Sequence, residues 1–353
     1  MPSSSSSPSP GEVSAEQITD ALAEQYGLHD ASVTVIPLGT ETDNFAAETE
    51  RGRLFVKAYP RRAKLDVMAG RITVSELGRS AGSPFPAMHP DLGGRSIARH
   101  GEVAASLWDW VDGASLELPY TPVHGEQIGD ALGRLHNVLA DHPREGFKAN
   151  TNHWWSHRGD ALQDRGRELL ALIDAAPEQD ADDLARRTEV EERIAQLGSL
   201  AELQAGLPQS PREQIVHFDA TGANLLWDSR DQLVGVIDIQ ARIAFPTWEL
   251  GRAAFEPFTV AESPDWRKSA VAAVTAYAEH VPAEVRPELV YAARMALLHN
   301  LTSWFGVDAL YGENQLPGRG IYERFWHLRT VAARRMLAEL ADIEAELADA
   351  VGA

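Results

Sequence analysis

The chain has 353 residues, 32 basic and 52 acidic, with a formal net charge of -20 and no cysteine. That length can hold a sizeable core, as one large domain or two lobes. The acidity argues against a nucleic-acid partner, whose phosphates are gripped mainly by Lys and Arg, and suits a cationic substrate as well as plain solubility. Without cysteine, disulfides and thiolate metal sites are excluded. No apolar run reaches membrane-spanning length, and the N-terminus lacks the basic and apolar regions of a signal peptide. A cytoplasmic protein with no membrane partner is the expectation.

In chain order, residues 1–13 open with the Ser/Pro low-complexity run MPSSSSSPSP and read as a disordered leader. Ser14 can cap a helix through AEQITDALAEQYG, with Glu16 and Asp20 near its start and Gly27 as its stop. ASVTVIPLG, DNFAAETE and RLFVKAY read as three strands of a small antiparallel sheet. From Leu65 to Arg79 the pattern is helical, and EVAASLWDWVDG returns to strand, with at least one of Trp108 and Trp110 expected to face the core. A long helical half begins near Pro122. Strands followed by helices predict an α+β architecture with a small sheet lobe and a larger helical lobe.

The second half contains IVHFDATGANLLWDSRDQLVGVIDIQ, residues 215 to 240, in which His217, Asp219 and Asn224 spell HxDxxxxN and Asp238 follows nineteen positions after Asp219. Short apolar runs on either side predict a strand approaching the loop and a hairpin leaving it. Asn224 then sits at the mouth of one strand and Asp238 just past the end of the other. Phosphoryl transfer uses such a set: one carboxylate to orient and deprotonate a hydroxyl, then a carboxamide and a second carboxylate to hold magnesium. Lys57, inside the apolar run LFVKAY, is costly there unless it is paired or reaches phosphates. Glu76, nineteen residues on, is the expected partner; Glu102 is a poorer one. PLGTETDNF is the candidate phosphate-covering loop, with only Gly39 to relax its backbone and Thr40, Thr42 and Asn44 as side-chain donors.

With these residues in place, the chain resembles the aminoglycoside phosphotransferase superfamily, kinase-like small-molecule phosphotransferases that include choline-kinase-like and homoserine-kinase-like enzymes. The resemblance spans roughly residues 30 to 340 and is strongest over HFDATGANLLWD and GVID. It implies a bilobal protein-kinase-like fold with a nucleotide-binding lobe at 14–112 and a catalytic, substrate-binding lobe at 113–353. It also implies ATP (or GTP) and magnesium, and a small-molecule hydroxyl as acceptor. Asp219 takes the role of catalytic base, Asn224 and Asp238 match the metal ligands, and Lys57 matches the phosphate-binding lysine with Glu76 as its partner. Asp109, Trp110 and Val111 match the hinge beside the nucleotide base. His136, in IGDALGRLHNVL, reads as structural. Two departures stand out: Phe218 replaces a common glycine between the histidine and the aspartate, and Ile239 and Gln240 replace an aromatic and an acid. A later pattern survives as Pro246, Glu249 and Leu250.

The acceptor is open at this point. An aminoglycoside-type antibiotic, with the resistance role that implies, agrees with the chain's acidity. Homoserine-like or choline-like metabolites and peptide Ser/Thr hydroxyls are alternatives, as is a nucleotide-binding pseudokinase scaffold. A protein kinase is disfavoured, because IDIQ and PTWE supply neither a DFG-like nor an APE-like segment. His153 and His157 of HWWSH have the spacing of two ligands on one helix face but lack the glutamate between them, so the neighbouring Trp154 and Trp155 read as packing or pocket-lining residues. Residues 174 to 204 read as a solvated, charge-rich helix face. FGVDALYGENQLPGRGIY reads as a Gly-rich loop, and Arg324 to Ala350 as a packed amphipathic helix.

Overall fold

A computed structural model describes residues 13–37, 42–150, 154–175, 180–313, 315–316 and 318–353. Most of the expected leader, Gly39 and Thr40 of the candidate phosphate loop, and His153 lie outside these residues. The first helix, Ala15–Tyr26, begins where Ser14 and Gln17 close a reciprocal capping box and ends at Gly27, whose φ of 70° is left-handed. Its apolar face, including Ile18 and Leu22, closes one side of an antiparallel sheet. The main path of that sheet runs Ser32–Ile36, Asp43–Thr49, Gly52–Tyr59, Val103–Asp109 and Met88–His89, with Ala98–His100 also pairing to Val103–Asp109. The small core holds Phe45, Val56 and Leu107 at its centre. Neither Trp108 nor Trp110 is among its buried residues. Trp108 donates its indole N–H to Ser106 Oγ at 2.8 Å, and the Arg53 guanidinium lies 3.7 Å from the ring centre of Trp110.

The remainder is helical around a second, larger core, with two short antiparallel pieces set into it. One joins Ala114–Ser115, Leu225–Trp227 and Leu233–Val236; the other pairs Gln214–Val216 with Arg242–Ala244. The helix Leu65–Ser80 follows the sheet strands in sequence but packs on this larger core, contributing Val74 to it. Its Gly78 is pressed against Phe85 and Leu135, so closely that a Cβ would come within 2.8 Å of Leu135. The boundary expected at 112 therefore separates the chain more cleanly in sequence than in packing.

Two readings of the helical half change. In Ala181–Gln196 the charges are not all solvated: Arg193 is fully buried, and Arg186 and Glu189 pair at 3.0 Å. Glu189 also meets His327 of the long helix Arg319–Val351 at 2.6 Å. The expected Gly-rich loop is helical over Phe305–Tyr311 before it turns into Arg319–Val351. Among the described residues, no helix is long and apolar enough to cross a membrane.

The helices Pro122–Leu139 and Trp266–Ala278 touch backbone to backbone. A Cβ at Gly129 would stand 1.9 Å from Ala273 O, and one at Gly125 2.2 Å from Ser269 O. Alanine gains about 1 kcal/mol of helix propensity over glycine, but overpacking against an immovable carbonyl costs up to about 3 kcal/mol. Gly129→Ala is therefore expected to lower stability by roughly 2 kcal/mol in denaturant unfolding. Gly198→Ala, with nothing within 4 Å of its Cβ, serves as the neutral control; equal midpoints for the two variants would contradict this packing.

Candidate active site

The loop His217–Asn224 hangs from the strand Gln214–Val216 and leads into the hairpin that ends before Asp238. His217 is the strut between its two halves. Its Nδ1 lies 3.2 Å from the Asp219 N–H, so Nδ1 must accept. Nε2 then carries the hydrogen and donates to Ile237 O at 2.9 Å. Burial pushes the His217 pKa down, in keeping with this neutral ring. The His217 N–H donates to Glu249 Oε2 at 2.8 Å, and the same oxygen is 3.0 Å from His136 Nε2. His136 is buried and also meets Tyr277 OH at 2.9 Å, so its structural reading agrees with its place.

Phe218 explains itself in this setting. Its φ is 75°, a region in which a side chain is costly and glycine is not. Three contacts hold it there: Arg252 donates to its carbonyl at 2.9 Å, its ring packs 5.4 Å from that of Trp248, and the Arg242 guanidinium sits 4.6 Å from its ring centre. Gln240 returns its backbone N–H to His217 O at 3.0 Å, while Ile239 packs into the core. The departures from the family pattern thus fit the loop instead of opening it.

The structure brings Asp219, Asn224, Asp238 and Lys57 together. Asn224 Nδ2 donates to Asp219 Oδ2 at 3.0 Å and to Asp219 O at 2.8 Å. This leaves the amide oxygen of Asn224 as a ligand. Lys57 crosses from the sheet lobe to Asp238 Oδ1 at 2.5 Å. Lys57 is thus not paired with Glu76, as expected, but with the second carboxylate of the motif. Glu76 is held elsewhere, meeting Arg79 Nη2 at 3.0 Å and accepting from the Met88 N–H at 3.1 Å. Glu102 pairs with Arg61. Asn44 sits directly across the sheet from Lys57, and Thr42 Oγ1 lies 3.2 Å from its Oδ1. Asp109 ends its strand with a carboxylate 2.7 Å from His89 Nε2, and Val111 touches the hairpin, where a Cβ on Gly235 would meet it at 2.9 Å.

The two aspartates differ electrically. Burial raises the Asp219 pKa, and Arg252, 4.0 Å away, offsets this only in part. Burial also opposes ionisation of Asp238, but the charge and hydrogen bond of Lys57 outweigh it and hold that carboxyl below the usual range. A pair pushed apart in this way separates a proton acceptor from a permanent anion. Among the described residues there is no cluster of three His, Asp or Glu side chains ready for a metal. Asn224 and Asp238 nevertheless fit magnesium, which commonly takes one or two protein oxygens, substrate phosphates and water.

Sequence reading passed over Arg252 and left Glu249 as a pattern residue without a role. The available signal for Arg252 was a charge inside the apolar helical run WELGRAAF. Trp154 is fully buried beside Trp248 with ring centres 6.3 Å apart, as a packing residue would be.

A sequence profile of the phosphotransferase enzyme family (APH) matches residues 32–287. Homoserine kinase of Afipia carboxidovorans is 29% identical over 231 residues, 64% of this chain and 63% of that protein. Homoserine kinase of Caulobacter vibrioides is 25% identical over 231 residues, 63% and 64% of the two chains. The chain thus spans a little under two thirds of the length of these curated relatives. Spectinomycin phosphotransferase, solved with ADP and spectinomycin, is similar in fold with a TM-score of 0.65 at 14% identity, covering 92% of this chain and 99% of that one. An aminoglycoside phosphotransferase from Alicyclobacillus acidocaldarius gives 0.64 at 16% identity, covering 98% and 99%. The expected bilobal, kinase-like α+β fold is the one observed, and the chain belongs to the phosphotransferase enzyme family.

Proposed function

We propose that the protein transfers the γ-phosphoryl group of ATP, or of GTP, to a hydroxyl of a small molecule. The observation that carries this reading is the meeting of Asp219, Asn224 and Asp238 with Lys57 from the other lobe. Asp219 orients the hydroxyl and takes its proton as the oxygen bonds to the γ-phosphorus and the bond to the β,γ-bridging oxygen breaks. Lys57 neutralises phosphate charge, and Asn44 and the hinge residues Asp109, Trp110 and Val111 complete the nucleotide side of the site, while Glu76 is taken up by Arg79 and the Met88 N–H. When bound between Asn224 and Asp238, magnesium would supply further charge neutralisation. The homoserine kinase relatives and the spectinomycin phosphotransferase fold support a small hydroxyl compound as acceptor. They leave aminoglycoside-type antibiotics and small metabolites as the classes to screen.

Asp219→Asn is expected to lower kcat about 10³-fold or more, within the range for loss of a general base, while nucleotide binding measured by calorimetry stays nearly unchanged. Unchanged turnover would sink the assignment. The pH profile carries a second expectation. A base must be ionised, so kcat/KM falls as pH drops through the Asp219 pKa, which burial raises. Arg252 lowers that pKa; Arg252→Gln should therefore move the acidic limb to higher pH. A limb that stays put or moves down would show that Asp219 is not the titrating base.

A further inference from the structure

Directly behind the Asp219 loop lies a cavity of about 140 Å³, with Thr221, Gly222, Arg252, Glu256, His299 and Arg329 in its lining. An enclosed apolar cavity of about 150 Å³ accommodates benzene, so this space suits a molecule of amino-acid size. Its deep wall is positively charged in an otherwise acidic protein. Arg329 is only 5% exposed. It donates from Nη2 to His299 O at 3.1 Å, and its buried Nε has no protein partner. The fully buried Arg193 uses the next carbonyl, Asn300 O, at 2.7 Å. The last turn of the helix Ala292–Thr302 thereby offsets part of both charges through its exposed carbonyls. Among the described residues, no carboxylate forms an ion pair with Arg329. Burial, then the charges of Arg193 and Arg252, bring its pKa down to about 9, so the guanidinium remains protonated at neutral pH.

We infer that Arg329, with Arg252 beside it, receives a carboxylate of the acceptor, and that the molecule phosphorylated is a small hydroxy acid. This rests on the phosphotransferase reading above and refines its substrate. A guanidinium offers a planar fork of N–H donors matched to a carboxylate. Anchoring the carboxylate in this wall would hold the molecule's hydroxyl end toward Asp219, whose Oδ1 lies 4.0 Å from Nη2 of the cavity-lining Arg252. Glu256, in the same lining, accepts from the Thr259 N–H at 2.9 Å, and burial pushes its pKa up to about 7; an ammonium group beside it would hold it ionised, so hydroxy amino acids belong to the class. This departs from the cationic acceptor that the chain's total charge suggested, because the local wall has the opposite sign.

The test is calorimetric titration of the full chain, held with a non-hydrolysable nucleotide, using 4-hydroxybutyrate and L-homoserine against their reduced counterparts 1,4-butanediol and 2-aminobutane-1,4-diol. The acids should bind at least tenfold more tightly than the diols. Arg329→Met should erase the difference and Arg329→Lys restore part of it, with unfolding midpoints recorded for each. If Arg329→Met does not fold, the acid-to-diol ratio of the wild-type chain decides alone. Equal binding of acid and diol, tighter binding of spectinomycin than of either acid, or a preference that survives in Arg329→Met would overturn the inference. Acetate or inorganic phosphate binding as tightly as the hydroxy acids would reassign the wall to a free anion, and so overturn it as well. Phosphorylation of neutral or cationic hydroxyls with the acids inert would defeat the acceptor class but leave the phosphotransferase reading intact. Acids that bind while no hydroxyl compound is ever phosphorylated would defeat the phosphotransferase reading and the inference with it, leaving only an anion-binding wall.

Discussion

The site depends on one buried carboxylate. Glu249 is 1% exposed, and burial alone would favour its neutral form. The hydrogen bond from His136 and the charge of Arg252 outweigh burial and keep its pKa low. Its Oε2 takes the backbone N–H of His217 and faces the His136 ring. From there the geometry propagates by contact. His217 fixes Asp219 through one ring nitrogen and Ile237 through the other, so both halves of the motif hang from a single imidazole. The left-handed turn at Phe218 between them is of the sort that persists only when its surroundings over-determine it, at a cost of order 1–3 kcal/mol. Arg252, Trp248 and Arg242 provide that surrounding.

The second constraint is a contact between lobes. Lys57 belongs to the strand Gly52–Tyr59 and Asp238 to the segment after the hairpin, and their ion pair spans 181 positions of sequence. Both are only partly exposed, at 22% and 42%, so the pair is screened less than a surface bridge but does not carry the stability of the fold. Its effect is electrical: it keeps Asp238 anionic while Asp219, without such a partner, is left to take up a proton. The two ends of the motif therefore present carboxylates of different character, and the difference comes from what each faces.

The polar residues of the site were legible in sequence because they lie in short turns between apolar runs, where spacing fixes position. Lys57 was legible as a charge misplaced among apolar neighbours. Its partner was not, because the choice between Glu76 and Asp238 depends on where the helix Leu65–Ser80 packs. Gly78 lets that helix settle against Leu135 of the large core, where Glu76 meets Arg79 and the Met88 amide. Periodicity marks a buried helix face without saying what it meets. For that reason the interior charges of Ala181–Gln196 read as solvated until the helix Arg319–Val351 supplied His327, and Arg252 and Arg329 went unnoticed. Phe218 was visible as an oddity, but its meaning required a backbone angle.

Buried at 1% exposure, Glu249 holds the Asp219 loop in place without being open to a substrate. The most direct test is Glu249→Leu, which keeps the volume but removes the acceptor for the His217 amide, read as kcat and nucleotide Kd on the same folded preparation. Displacement of Asp219 by as little as about 1 Å is worth on the order of 10²-fold in rate. The expected result is a loss of that size or larger in kcat, with nucleotide affinity little changed. Wild-type kcat in a folded Glu249→Leu protein would contradict the account.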